Sequence, residues 1–272
     1  MLILVIFCLI QGFTEFLPIS SQGHLIVFNN FFPLTLSETT KLSILELNIL
    51  AHFGSLIAIM LYYSKYLKGF LISSKFIFRP DIDARSNLLI NLIFSSIPVF
   101  IFGFYFESFF NLFADQLLLV ISITSIFFGV LLYLTDRFCL RIKNLDNLRR
   151  SSSFFIGISQ CFALVPGVSR SGAVITYMRF NGFTRQHSVL YNNLMSIPVL
   201  FGAIIYLVMK NFEQITGNIY FNIIGFSVII FSFLFSIIFI HLLVIWIKKF
   251  SFLIFVIYRI LFGFSLLFFV VF

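Results

Sequence analysis

Long apolar runs dominate the chain, and short polar loops separate them. A run must contain about 20 apolar residues to cross a bilayer as a helix. Six runs meet this length, at approximately 43–63, 87–105, 116–135, 187–209, 219–246 and 251–271. This pattern predicts an all-α polytopic membrane protein with six transmembrane helices.

Two further apolar regions, 2–28 and 152–178, are interrupted by proline, glycine, serine and charged residues. The interruptions read "QGFTEFLPISSQGH" at 11–24 and "PGVSRSGAVIT" at 166–176. Irregular backbone at membrane depth is tolerated only where protein or water satisfies its polar groups. We therefore expect Pro18 in the first region and Pro166 in the second to break helices beside a cavity.

The basic residues indicate how the segments are oriented. Loops 64–86 and 136–150 are rich in Lys and Arg, whereas the turn at 106–115 has none, so the two basic loops are predicted to be cytoplasmic. Region 152–178 then begins and ends on the cytoplasmic side and must be re-entrant. The same reasoning makes loop 29–42 external and makes the first region a re-entrant segment that enters from outside.

The two re-entrant regions resemble each other. Gln, Phe, Ser and Gly recur at the same spacing in "QGFTEFLPISSQG" and "QCFALVPGVSRSG". Each half, about 1–135 and 152–272, then contains one re-entrant segment and three spans, so the single membrane domain 1–272 is predicted to be an inverted repeat. In such proteins the interrupted segments indicate a binding site near the midplane.

Composition supports a lipid environment and excludes several other classes. The chain is 60% hydrophobic and 10% charged, with a mean hydropathy of +1.09, whereas a soluble domain carries about 25% charged residues. The net charge of +8 lies in short loops, so nucleic acid is not an expected partner. Three cysteines without a CxxC spacing indicate neither a disulfide framework nor a zinc site.

Arg170 is the most informative charged residue in the second re-entrant segment. An arginine at membrane depth costs between about 2.5 and 17 kcal/mol and needs an anion. Ser169 and Ser171 flank it, and Gly172 follows where a helix is expected to begin. Helix N-termini and arginine forks bind phosphate. A structural pair with Glu15 is the alternative, and it is compatible with phosphate binding.

The first re-entrant segment adds Glu15, Ser20, Ser21 and His24. Glu15 and His24 are candidate acid–base groups, and Glu15 is also a candidate ligand of a divalent cation. Ser21 is a candidate nucleophile activated by His24. As alternatives, Ser20 caps a helix and His24 is a hydrogen-bonded bundle residue. Together with Arg170, these groups suit phosphate-ester or anhydride chemistry.

Two other polar residues lie within predicted spans. His52, in "AHFGS", either faces the same cavity or has a structural role, and we favour the structural role. Arg259, in "FVIYRILFG", requires a partner or a route to the interface, and we interpret it as structural.

The motifs "QGFTEFLPISSQGH" and "PGVSRSG" resemble the two signatures of the bacitracin-resistance family, the undecaprenyl-diphosphatases of bacterial inner membranes. "FGSLIAIMLYY" and "SFLIFVIYR" extend the resemblance to most of the chain. The resemblance implies hydrolysis of the polyprenyl diphosphate lipid undecaprenyl diphosphate to the monophosphate, which recycles the cell-wall lipid carrier. It also implies a divalent cation, Mg²⁺ or Ca²⁺, a fold with two re-entrant helix pairs, and a homodimer.

Residue by residue, the resemblance places catalytic roles on Glu15, Ser21, His24 and Arg170, with Glu15 also binding the metal. The residues expected to bind substrate are Gln11, Ser20, Ser169, Ser171 and Gly172. Two positions depart from the family pattern. Gln11 occupies a site where the family has Glu or Gln, which leaves one carboxylate. Val174 replaces a threonine that often closes the arginine motif.

A transporter or flippase of the lipid carrier is the second hypothesis, because inverted repeats are more typical of transporters than of hydrolases. A carrier needs the anion-binding arginine but no acid–base pair, so Glu15 with His24 favours the hydrolase. A purely structural membrane protein has no use for these groups in lipid. The predicted topology places the active site on the periplasmic face of the inner membrane.

Overall fold

The computed structural model describes residues 1–32, 42–105, 116–212 and 223–271, and in these ranges the regular elements are helices. The predicted outer turn 106–115 and most of the predicted outer loop 29–42 lie outside the described residues. The α-helices, numbered in chain order, are α1 Leu2–Thr14, α2 Ser21–Phe31, α3 Ile44–Tyr62, α4 Ser64–Ser73, α5 Ala84–Tyr105, α6 Leu117–Phe138, α7 Arg150–Cys161, α8 Arg170–Phe180, α9 Arg185–Lys210, α10 Ile223–Lys249 and α11 Leu253–Val271.

Six of these helices are long and apolar enough to cross a membrane: α3, α5, α6, α9, α10 and α11. Each one coincides with a predicted span to within a few residues. The predicted all-α polytopic class and its six spans are therefore confirmed. Large apolar side chains such as Phe104, Phe127 and Leu261 point outwards from these helices, as lipid contact requires.

The two interrupted regions each form a pair of short helices joined by a break, α1 with α2 and α7 with α8. The helices of each pair pack against each other. Both breaks end on a serine with positive φ, Ser20 at 78° and Ser169 at 72°. In each case the serine hydroxyl caps the next helix by accepting a hydrogen bond, from the N–H of Gly23 and of Gly172 respectively. The recurring serines in the two motifs therefore have the same local geometry.

The long helices of one half pack against the broken pair of the other half. Helix α10 lies against α1 and α3, and α5 lies against α7 and α9. Glycines permit the close approach. A Cβ added at Gly12 would clash with the α10 backbone, and one added at Gly157 would clash with the α5 backbone beside Ser95 and Pro98. Small residues at such crossings are usual for membrane helices.

Arg259 of α11 ties the two breaks together. Its side chain is fully buried and donates hydrogen bonds to the carbonyl oxygens of Pro18, Gly167 and Val168, at 3.2, 3.0 and 2.9 Å. Two further bonds reach the carbonyl oxygens of Ser125 and Thr124 in α6. The guanidinium thus satisfies carbonyl groups that the irregular segments leave without helical partners, which supports the structural interpretation of Arg259.

Candidate functional site

The two helix breaks meet at an ion pair. Arg170 is the first residue of α8, and Glu15 directly follows α1. Arg170 Nη2 lies 3.3 Å from Glu15 Oε1, and the two side chains are 13% and 4% exposed. The pair with Glu15, which the sequence left as the alternative interpretation of Arg170, is therefore present in the structure.

A cavity of about 180 Å³ adjoins this pair. One side is apolar and includes Val199, Leu200 and Ala203 of α9. The polar groups come from both breaks and from α2, α3 and α7: Glu15, Ser20, Ser21, Gln22, His52, Gln160, Ser169 and Arg170. A lining that combines apolar side chains with a cluster of polar groups suits an amphipathic ligand.

Several polar atoms around the cavity lack a partner among the described residues. Arg170 Nη1 and both polar atoms of the Gln160 amide are buried without a hydrogen bond. Leaving one buried donor unsatisfied costs about 1–3 kcal/mol. Unpaired N–H donors on an arginine and an amide that both line one cavity therefore indicate a ligand with anionic oxygens.

Two further groups lie close to the Glu15 carboxylate besides Arg170. Gln11 Nε2 donates a hydrogen bond of 3.1 Å to Glu15 Oε2, and His52 Nε2 lies 3.6 Å from the same oxygen. His52 Nδ1 lies 2.8 Å from the carbonyl oxygen of Asn48. Because a carbonyl only accepts, Nδ1 must carry a proton, and Nε2 of the neutral ring is left as the acceptor facing Glu15 and the cavity. His52 can therefore take up a proton there.

His24 is engaged elsewhere. Its Nδ1 lies 2.6 Å from the carbonyl oxygen of Ser20, and its Nε2 lies 2.7 Å from the hydroxyl of Tyr258. The ring also stacks on Phe262 with centroids 4.2 Å apart. The structure does not bring His24 into the lining of the cavity. With both ring nitrogens occupied, activation of Ser21 by His24 has no geometric support, and the bundle-residue interpretation describes it better.

The serine–arginine–serine motif divides into two parts. Ser169 and Arg170 line the cavity, whereas the Ser171 hydroxyl donates a 2.7 Å bond to the carbonyl oxygen of Leu17 and lies 3.1 Å from the Ser169 hydroxyl. Gly172 gives its N–H to Ser169. Ser171 therefore joins the two breaks, whereas the Gly172 N–H belongs to the cap of α8 within the second break. Neither residue is part of the cavity lining, although both were expected to contact substrate.

Comparison with known proteins supplies the family. Residues 4–265 match the family described as bacitracin resistance protein BacA. The chain belongs to the BacA family. The undecaprenyl-diphosphatase of Aliivibrio salmonicida is 36% identical over 260 residues, which cover 95% of this chain and 94% of the relative. Undecaprenyl-diphosphatases of Pelagibacter ubique and Leptospira interrogans (serovar copenhageni) are 35% and 33% identical, with 95% of this chain and 93% and 94% of the relatives covered. The resemblance inferred from the two motifs is confirmed.

The donors near the cavity of this BacA-family protein suit a cation shared with a phosphate. Among the described residues, no three His, Cys, Asp or Glu side chains lie close enough to bind a metal by themselves. The available oxygens are the Glu15 carboxylate and the unpartnered Oε1 atoms of Gln11 and Gln160. Mg²⁺ commonly uses one or two carboxylates together with substrate phosphates. The residues therefore fit a hard cation that the substrate helps to bind.

Gln160 lines the cavity of this BacA-family protein, although the sequence analysis gave it no role. It marked the repeat, as the counterpart of Gln11. Both glutamines are fully buried, but Gln160 belongs to the lining of the cavity and Gln11 does not. The repeat itself contained the signal, because a residue in the second break at the position of a predicted site residue in the first is a candidate by symmetry.

Proposed function

We propose that this BacA-family protein hydrolyses undecaprenyl diphosphate to undecaprenyl phosphate and inorganic phosphate. The names of its relatives support this substrate. The observation that carries the proposal is that the two terminal nitrogens of the Arg170 guanidinium have different surroundings. One nitrogen holds Glu15, and the other is buried and unpaired at a cavity that both helix breaks line. Such hydrolysis recycles the cell-wall lipid carrier and provides bacitracin resistance.

The residues around the cavity receive the following roles. Arg170 Nη1 and the Gln160 amide bind the terminal phosphate, and the apolar side with Val199 and Ala203 receives the start of the prenyl chain. Ser21 Oγ attacks the terminal phosphorus, and its proton passes to His52 Nε2. The bond from that phosphorus to the bridging oxygen breaks, and the lipid monophosphate leaves. Water then hydrolyses the phosphoserine and releases inorganic phosphate.

A divalent cation, Mg²⁺ or Ca²⁺, is part of the proposal. Glu15 and the Gln160 Oε1 atom would hold it, and it would neutralise charge on the diphosphate oxygens when bound. The diphosphate carries more negative charge than one arginine balances, and Glu15 is the one carboxylate in the lining of the described cavity.

The proposal extends to orientation and assembly. The two halves form an inverted repeat, supported by the crossed packing of α10 on α1 and α5 on α7. The cavity opens to the periplasmic side of the inner membrane, as the positive loops imply. A homodimer is part of the family likeness.

Phosphate release by the purified protein in detergent tests the function. The wild type, with a polyprenyl diphosphate and Mg²⁺, should release inorganic phosphate, whereas Glu15→Gln should lose most of this activity. Asp146→Asn, the same change at an exposed loop carboxylate, is the matched control and should retain it. If the wild type bound the lipid without releasing phosphate, a carrier protein would replace the hydrolase. Equal rates for Glu15→Gln and wild type would remove the proposed site.

A further inference from the structure

A second polar cavity lies at the end of α6 that the basic loops predict to be cytoplasmic. Its volume is about 290 Å³. Three arginines line it, and we call it the arginine pocket: Arg137, Arg141 and Arg185, with Asp136 between them. It shares no lining residue with the cavity at Glu15 and Arg170.

The carboxylate of the arginine pocket is already saturated. Arg185 binds Asp136 through two nitrogens, Nε to Oδ1 and Nη2 to Oδ2, both at 2.8 Å. Arg179 Nε adds a bond of 3.1 Å to Oδ1, and the backbone N–H of Phe252 adds one of 3.2 Å to Oδ2. Four donors therefore converge on one carboxylate. Arg185 and Arg179 already balance its negative charge, so it does not neutralise the other arginines of the pocket.

The other two arginines have no carboxylate of their own. Arg141 Nη2 donates a bond of 2.7 Å to the backbone oxygen of Asp136. Neither Arg141 nor Arg137 lies within ion-pair distance of an acidic group in the described part of the chain. The lining thus carries three positive charges against one negative charge, and an anion would balance it.

The remaining wall of the arginine pocket is mostly apolar and is partly exposed at the protein surface. Tyr133 of α6 and Leu253 of α11 line it and are 39% and 45% exposed. A free phosphate would leave this wall unused, whereas a lipid headgroup would place its phosphate on the arginines and its acyl chains along α6 and α11. Basic pockets between membrane helices on the cytoplasmic side bind anionic headgroups.

We propose that the arginine pocket binds the phosphate of an anionic membrane phospholipid. The geometry also connects it with the active site. Helix α8 begins at Arg170 and reaches the Asp136 network through Arg179 in its last turn. A lipid bound beside Arg185 therefore steadies the far end of the helix that presents Arg170.

Binding of defined lipids to the purified protein in detergent tests the proposal. Phosphatidylglycerol, phosphatidylcholine and inorganic phosphate are each titrated while Tm and binding by native mass spectrometry are recorded. Phosphatidylglycerol should bind and raise Tm well below the concentrations at which the other two act. The double variant Arg137→Gln with Arg141→Gln should bind it about 30-fold more weakly, or about fivefold for each arginine. Substitution of Arg137 and Arg141 leaves the ion pairs of Asp136 with Arg179 and Arg185 intact.

Arg79→Gln is the matched control, because it removes an exposed arginine from the other basic loop and should leave binding unchanged. If the double variant does not fold, each single variant should weaken binding about fivefold on the same basis. Equal binding of phosphatidylcholine, or unchanged binding in the arginine variants, would overturn the proposal. Inorganic phosphate acting at the same concentration as the lipid would overturn the assignment to a headgroup.

Discussion

Arg170→Lys should impair phosphate release nearly as much as Arg170→Ala. In the structure the guanidinium performs two tasks at once, because Nη2 binds Glu15 Oε1 at 3.3 Å while Nη1 is buried and unpaired at the cavity. A lysine ammonium is one compact centre without the planar fork. It can remain with Glu15 or reach the phosphate, but it cannot hold both in the arginine geometry.

The size of the expected fall in kcat/KM follows from the one contact that the lysine variant loses. A hydrogen bond to a charged group contributes about 1.5–3 kcal/mol, and each 1.36 kcal/mol corresponds to roughly tenfold in rate. Loss of the Nη1 contact should therefore lower kcat/KM by about 10- to 150-fold. Alanine also removes the positive charge and leaves the buried carboxylate of Glu15 without its arginine partner, so its loss of activity should be somewhat larger.

The assay is initial-rate phosphate release across a range of polyprenyl diphosphate concentrations, with Tm in the same detergent as a measure of folding. The lysine variant should keep a Tm near that of the wild type, because the charge beside Glu15 remains. Near-normal kcat/KM in the lysine variant would refute the reasoning. Arg170 would then act only as a positive charge, and its main role would be the structural pair with Glu15.

Three further predictions concern the acid–base group, the cation and the topology. His52→Gln should lower kcat about 10²-fold or more, as loss of a general base does, whereas His24→Gln should mainly lower Tm; the reverse pattern in rate and melting measurements would restore His24 as the base. Excess EDTA should abolish phosphate release, and added Mg²⁺ or Ca²⁺ should restore it; full activity in chelator would remove the cation from the mechanism. In a background without native cysteines, a cysteine at Thr35, in a loop outside the described residues, should react with an impermeant thiol reagent in intact spheroplasts. One at the exposed Asp146 should not, and reaction at Asp146 alone would place the cavity on the cytoplasmic side.

The sequence alone determined the helical framework. Transfer of an apolar run into lipid depends on its length and composition, which are local properties, so the six spans were predicted to within a few residues. The interruptions at Pro18 and at the Pro166–Gly167 turn also depend on local sequence. A buried arginine needs an anion wherever it lies, and this requirement gave two interpretations of Arg170, phosphate binding and a structural pair with Glu15.

Only the tertiary structure decided which side chains share the cavity. Successive residues of an α-helix are rotated by about 100° around its axis, so a helix can place a histidine in the cavity or against its neighbours with little change in sequence pattern. This rotation directs His24 towards Tyr258 and His52 towards Glu15. It also brings Gln160 into the lining, although the sequence suggested no role for it. These contacts join residues far apart in the chain, and they depend on how whole helices pack, which the local pattern does not specify.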